Sequence, residues 1–209
     1  MTIERYFTKD SDLKFILVRH AEAESNDHRL SLKFMNAKAD PGITPVGKKQ
    51  SVIIAKKVFS AGGCDVIVHS SAKRSRMTAK IIAKFLEDKC LKDIEERKSV
   101  YLHEVDVGDF SGESGETVTE MYPRQAGIFY QGDIDDWDFP DGEDHAEIVR
   151  RIKSVFTQIR PIVDDGKTVL LVGHSMFNQV VLNYLFPKDK DFCKLTDYPH
   201  DRVVTINLE

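Results

Sequence analysis

Two short apolar runs, each ending on a histidine, constrain this chain more than any other feature. "LKFILVRH" closes on Arg19 and His20, and "KTVLLVGH" closes on His174. Continuous apolar runs of this length read as strands buried on both faces, which need helical layers above and below. Between them the pattern turns helical. "TPVGKKQSVIIAKKVFS" places Val46, Ile53, Ile54 and Phe59 on roughly one face, with Thr44 as N-cap and Pro45 at the first helical position. "DVIVHS" and "KSVYLHE" read as further strands, "AKRSRMTAKIIAKFLEDK" and "MFNQVVLNYLF" as helices, and "RVVTINLE" as a closing strand. "EDHAEIVRRIKSVFTQIRPIV" reads as a long helix broken near Pro161. Strands alternating with helices predict a three-layer α/β/α sandwich with a mostly parallel central sheet.

Binding groups in such sheets gather at the carboxyl ends of the strands. His20, Ser70, Glu104 and His174 are all expected there, on one rim. The reading makes residues 1–209 a single domain with one lid insertion at about 105–142. That insertion breaks the alternation and carries Phe110, Tyr122, Phe129, Tyr130, Trp137 and the acidic "DIDDWD". A connection of this length is more often functional than plain, although its aromatics also suit packing the segment onto the body.

Composition narrows the partners. The chain is 41% hydrophobic and 31% charged, with a formal net charge of −4. Mild acidity argues against nucleic acid, whose binders usually carry a basic surplus. No apolar run reaches membrane-spanning length, and "MTIERYFTKD" lacks the apolar core of a signal peptide. Cys64, Cys90 and Cys193 are unpatterned, which suits reduced thiols in a cytoplasmic protein. No ligand spacing for zinc stands out, so no metal and no cofactor are expected.

A rim holding Arg19, Arg74, His20, His174 and Glu104 is cationic with one carboxylate. Guanidinium forks match phosphate oxygens, and the helix starts after Ser70 and His174 would add backbone N–H donors for an anion. That set suits phosphoryl transfer, which is mostly positioning and charge neutralisation. A neutral imidazole is a competent nucleophile, and flanking arginines favour the neutral form.

The same residues carry a resemblance. Arg19-His20-Ala21-Glu22-x-x-x-Asn26, "ITPVG", Ser70-x-x-x-Arg74-x-x-x-Thr78-Ala79, Leu102-x-Glu104-x-x-x-Gly108-x-x-x-Gly112, "PDGED" and His174 occur in one order along nearly the whole chain. In this it resembles the histidine phosphatase superfamily, in its phosphoglycerate mutase-like branch. The resemblance implies that His20 becomes phosphohistidine and that Glu104 protonates the leaving oxygen, then activates water. It further implies that Arg19, Arg74 and His174, assisted by Asn26, hold the phosphoryl oxygens. Two positions depart from the pattern: Ala21 and Ser175 stand where glycines are usual. Ser175 could hydrogen-bond in the phosphate pocket or cap its helix.

The resulting expectation is a metal-independent phosphomonoesterase acting on a phosphorylated small molecule or a phosphoprotein, with the small molecule as first choice. The first alternative is phosphoglycerate mutase-type transfer. Mutases of the family continue their acid as E-R-x-Y-G, whereas "EVDVG" puts Val105 and Val107 in those places. A second alternative takes "GHSMF" as a nucleophile elbow with Ser175 attacking. There Phe177 replaces the closing glycine, and Arg19, His20 and Arg74 are left without a role. His28, His69, His103, His145 and His200 are expected to be structural, with His69 and His103 turned to the opposite face by strand alternation.

Overall fold

The structure, a computed structural model, describes residues 4–7, 15–24, 34, 40–187, 192 and 198–207. Its strands are β1 (Glu4–Phe7), β2 (Phe15–Arg19), β3 (Val66–Ser70), β4 (Glu95–Ser99), β5 (Val169–Gly173) and β6 (Val203–Asn207). They form one sheet in the order β1-β6-β2-β5-β3-β4. Every neighbouring pair runs parallel except β2 with β6. The helices are α1 (Pro45–Ser60), α2 (Lys73–Cys90), α3 (Gly115–Met121), α4 (Pro123–Gln131), α5 (His145–Asp164) and α6 (Ser175–Leu185).

Strand alternation sorts the core into two layers. Ile16, Val18, Ile67, Leu170 and Val172 pack with Ile54, Val58, Ile82 and Leu86 of α1 and α2. Phe15, Leu17, Val68, Val169 and Leu171 face the other way, onto Ile148, Ile152, Val155 and Ile159 of α5 and Phe177 and Val180 of α6. β2 and β5 thus have apolar partners on both faces, which is why their sequences are apolar without alternation. The predicted three layers and mostly parallel sheet are present.

Several local expectations change. β1 was not anticipated: "ERYF" has no apolar run, and it is ordered as an edge strand beside β6. The strand in "KSVYLHE" stops at Ser99, whose hydroxyl accepts from Tyr101 N–H and starts a 3-10 turn over Val100–Leu102. α1 buries Gly47, Ser51, Ile54, Ala55 and Val58, whereas Val46, Ile53 and Phe59 are exposed. Ile54 alone of the four expected residues faces inward, because small residues let the helix approach the sheet. α5 does not break at Pro161 but continues to Asp164. The proline sits in the last turn, where the missing N–H forfeits a single main-chain bond at the helix end.

The 105–142 segment folds into a 3-10 turn at Gly108–Phe110, α3, α4 and a second 3-10 turn at Ile134–Asp136. Phe110 and Trp137 are buried in the α5 and α6 core layer with Phe139. Phe110 meets the Phe139 ring edge-on at 5.5 Å between centroids, and Trp137 lies 6.0 Å from Phe129. Tyr130 is exposed. The aromatics therefore divide, and the largest of them pack the segment down.

Candidate active site

The parallel register of β2 and β5 pairs Arg19 with Gly173, and His20 N–H donates to Gly173 C=O at 3.0 Å. This register sets the His20 and His174 rings side by side, 5.0 Å apart at 65°. The loop after His20 is braced by the other motifs. Ala21 N–H donates to Thr78 Oγ1 (3.0 Å), which itself donates to the Arg74 carbonyl (2.8 Å). Thr44 N–H donates to Glu22 C=O, and its hydroxyl donates to the Glu22 carboxylate at 2.6 Å. A Cβ at Gly47 would stand 2.1 Å from the Glu22 carbonyl oxygen, so only glycine admits this contact. The motifs around "ITPVG" and Thr78 are thus supports for the loop that leaves His20.

His20 is buried, and its Nδ1 lies 2.8 Å from the Ala21 carbonyl. A carbonyl only accepts, so Nδ1 carries the proton and Nε2 the lone pair. Arg74 Nε donates to that Nε2 at 3.1 Å. The same guanidinium donates through Nη2 to Nδ1 of fully buried His174 at 3.2 Å, which leaves Nε2–H of His174 to donate to Ser70 Oγ at 2.7 Å. One arginine fork therefore bridges the lone pairs of both imidazoles. Arg19 donates through Nη1 to the Tyr198 carbonyl at 2.8 Å. His200 Nδ1 lies 2.8 Å from the His20 carbonyl and so donates to it.

Burial holds both imidazoles well below the ordinary histidine range, with the ionisable groups around them acting the same way. For His20 these are His174, Arg74 and Arg19, opposed by the Ala21 carbonyl. For His174 they are Arg74, Arg19, His103 and Arg151. The direction is the one expected from sequence, but burial leads and the arginines follow. Burial also lowers Arg74, against the attraction of Glu104 and Asp40.

Glu104 arrives not from a strand end but from the loop after the 3-10 turn. Its Oε1 accepts from Val105 N–H (3.0 Å) and Phe177 N–H (3.0 Å), and its Oε2 from Met176 N–H (3.3 Å). The carboxylate thus sits on the first turn of α6. At α2 the Asp40 carboxylate accepts from Lys73 N–H at 2.7 Å. These helix starts were expected to bind the phosphate; the protein's own carboxylates occupy N–H groups at both.

A cavity of about 420 Å³ opens here. Arg19, His20, Ser70, Arg74 and His174 form its floor, and Glu104, Asp40, Asp106 and Met176 are among its walls. The expected Arg19, His20, Ser70, Arg74, Glu104 and His174 thus come together. Ser175 opens α6 and is not among the lining residues; the serine bonded to an imidazole is Ser70. Asn26 lies outside the described residues, as do His28 and Cys193. His103, expected on the far face, lines the cavity instead, because the 3-10 turn ends the strand alternation before it.

The chain matches the family described as histidine phosphatase superfamily (branch 1) over residues 15–208. It belongs to that superfamily. This histidine phosphatase superfamily chain is 33% identical over 164 residues to phosphoserine phosphatase 1 of Hydrogenobacter thermophilus, covering 78% of this chain and 72% of the relative. It is 30% identical over 185 residues to a 2,3-bisphosphoglycerate-dependent phosphoglycerate mutase of Methylocella silvestris, covering 85% and 84%. Among solved structures it resembles a mycobacterial glucosyl-3-phosphoglycerate phosphatase in complex with VO3, with a TM-score of 0.73 and 18% identity, covering 92% and 90%. Relatives of this superfamily member thus include both phosphatases and mutases.

Sequence reasoning passed over several parts of the superfamily member's site. Tyr198 and His200, which meet Arg19 and the His20 carbonyl, contribute from a tail with no apolar pattern. Among the described residues, no group of three or more His, Cys, Asp or Glu side chains could hold a metal ion. No described helix is long and apolar enough to cross a membrane.

Proposed function

We propose that the protein is a phosphomonoesterase that works through a phosphohistidine on His20 without a metal ion. The observation that carries the proposal is the Nε2 lone pair of a buried, neutral His20, held by an arginine that also holds His174. A substrate phosphoryl group offers Arg74 better acceptors than two imidazole nitrogens, so its arrival draws the fork away and frees Nε2. Nε2 then bonds phosphorus as the P–O bond to the leaving group breaks. Glu104 gives that oxygen a proton. Water next attacks the phosphohistidine, Glu104 takes the water's proton, and phosphate leaves with the P–N bond broken. Arg19 and Arg74 hold the phosphoryl oxygens, with Asn26 as a further donor; once the fork has turned to the phosphoryl group, His174 joins them as its other tautomer, accepting from the Ser70 hydroxyl at Nε2 and donating from Nδ1.

The substrate class is a phosphorylated small molecule. A cavity of about 420 Å³ falls within the usual size of small-molecule sites, and the named phosphatase relatives point the same way. The 105–142 segment serves as its lid. Phosphoglycerate mutase-type transfer is the second reading, favoured by the 30% identity to a mutase. Against it, Val105 and Val107 line the cavity with apolar surface where mutases of the family place arginine and tyrosine.

Rapid quenching with ³²P-labelled substrate tests the proposal. The label should be lost in acid, kept in base and absent from His20→Ala. An acid-stable label, or one retained in that variant, overturns it. Transfer of the label to an added phosphoglycerate rather than to water would select the mutase reading.

A further inference from the structure

The motif "PDGED" has no part in the chemistry above, yet its structural surroundings converge on Glu104. Two glycines bring the backbones of 105–108 and 139–143 into contact. A Cβ at Gly108, where φ is +50°, would lie 2.1 Å from the Pro140 carbonyl oxygen, and one at Gly142 would lie 2.5 Å from that of Asp106. Glu143 N–H donates to Asp106 C=O, and Asp106 N–H donates back to the Glu143 carboxylate, both at 2.9 Å. Glu143 is thereby fixed two residues beyond Glu104.

Arg151, buried on α5, closes the arrangement. Its Nε and Nη2 grip the two Glu143 carboxylate oxygens at 2.8 and 2.6 Å. Its Nη1 donates to the carbonyls of Tyr101 (3.0 Å) and His103 (2.7 Å). Its guanidinium carbon stands 4.5 Å over the Phe177 ring, and Phe177 N–H is one of the donors to Glu104. All the guanidinium nitrogens are used, in a fork geometry that lysine cannot reproduce. The loop on both sides of Glu104, and the helix start its carboxylate rests on, therefore meet at one side chain.

We infer that Arg151, with Glu143, is a positioning residue that sets the place of the Glu104 carboxylate relative to the leaving oxygen. This rests on the reading of Glu104 as proton donor. Arg151 makes no hydrogen bond to His20 or the phosphate floor and reaches His174 only as the weakest of its electrostatic neighbours, so its removal should impair protonation far more than attack on phosphorus. A misplacement of about 1 Å in such a group is worth up to about 100-fold. A nitrophenolate departs without needing a proton, whereas an alkoxide does not.

The test compares phosphoenzyme formation in single turnovers on an alkyl phosphate and on p-nitrophenyl phosphate, for Arg151→Met, Arg151→Lys, Glu143→Gln and Glu104→Gln. Arg151→Met should lose about tenfold or more on the alkyl phosphate and little on p-nitrophenyl phosphate, with inhibition by inorganic phosphate unchanged. Arg151→Lys should restore only a part. Glu143→Gln, which keeps the shape and is the milder change should Arg151→Met fold poorly, should show the same bias more weakly. The double variant Glu104→Gln/Arg151→Met should be no worse than Glu104→Gln alone. Equal losses on both substrates in folded Arg151 and Glu143 variants, or additive losses in the double variant, overturn the inference. If Glu104→Gln itself shows no bias, it is the reading of Glu104 that falls.

Discussion

At His20 and His174 resistance to protonation is a property of burial before it is one of charge. The same property links stability to pH. Above about 6.5 both rings are neutral folded or unfolded, so neither affects the balance. As pH falls below that value the unfolded chain takes up protons that the folded rings resist, and stability falls toward their lowered folded values. Each unit of that window costs about 1.4 kcal/mol per histidine. Urea unfolding at pH 7.5 and 5.5 should show this loss in the parent and a smaller one in His20→Asn. An equal loss in both would mean that His20 is not held neutral.

At the scale of elements, the site depends on a helix reaching across to a strand-end loop. Thr78 occupies one turn of α2 beyond Arg74 and ties the Ala21 N–H to that helix. Thr78→Val keeps the shape and leaves a buried N–H without its acceptor, which costs about 1–3 kcal/mol. Unfolding should detect that loss, and kcat should fall with it as the His20 loop shifts; an unchanged kcat would show the loop to be held by Gly47 and Thr44 alone. Strand and helix identities were legible because β2 and β5 are buried on both faces and α5 carries a continuous apolar stripe. Arg19, His20, Arg74 and His174 were legible for a related reason: strand ends and a first helical turn leave little freedom in where a side chain goes. The approach to Glu104 was not, since whether "KSVYLHE" continues as strand or turns at Ser99 depends on a hydroxyl that also meets Gln158 of α5. His103 was misplaced with it. The exposed side of α1 was misjudged because Gly47, Ser51 and Ala55, the residues that let it lie close, are small and carry far less apolar signal than Val46, Ile53 or Phe59.

Across the whole molecule, positive charge at the cavity floor comes from two arginines on different elements, β2 and α2. Turnover should therefore survive EDTA, and VO3, as an imitation of five-coordinate phosphorus on that floor, should inhibit. A ligand that binds only the assembled floor should also raise the unfolding temperature, by an amount worth about 2.7 kcal/mol when it stands at 100 times its Kd. Calorimetry with and without VO3 checks this, and restoration of EDTA-treated enzyme by zinc or manganese would refute the metal-free reading. The sheet order has another consequence, which concerns synthesis. β2 is flanked by β5, which pairs Phe15 with Val169, and by β6, which pairs Phe15 with Ile206. A nascent chain that has emerged only through α5 already contains His20, Arg74 and Glu104, but it lacks both neighbours of the strand that aims His20, and it lacks His174. Such a chain has no pocket to offer. A chain truncated after α5 should therefore be inert toward phosphate esters rather than indiscriminate.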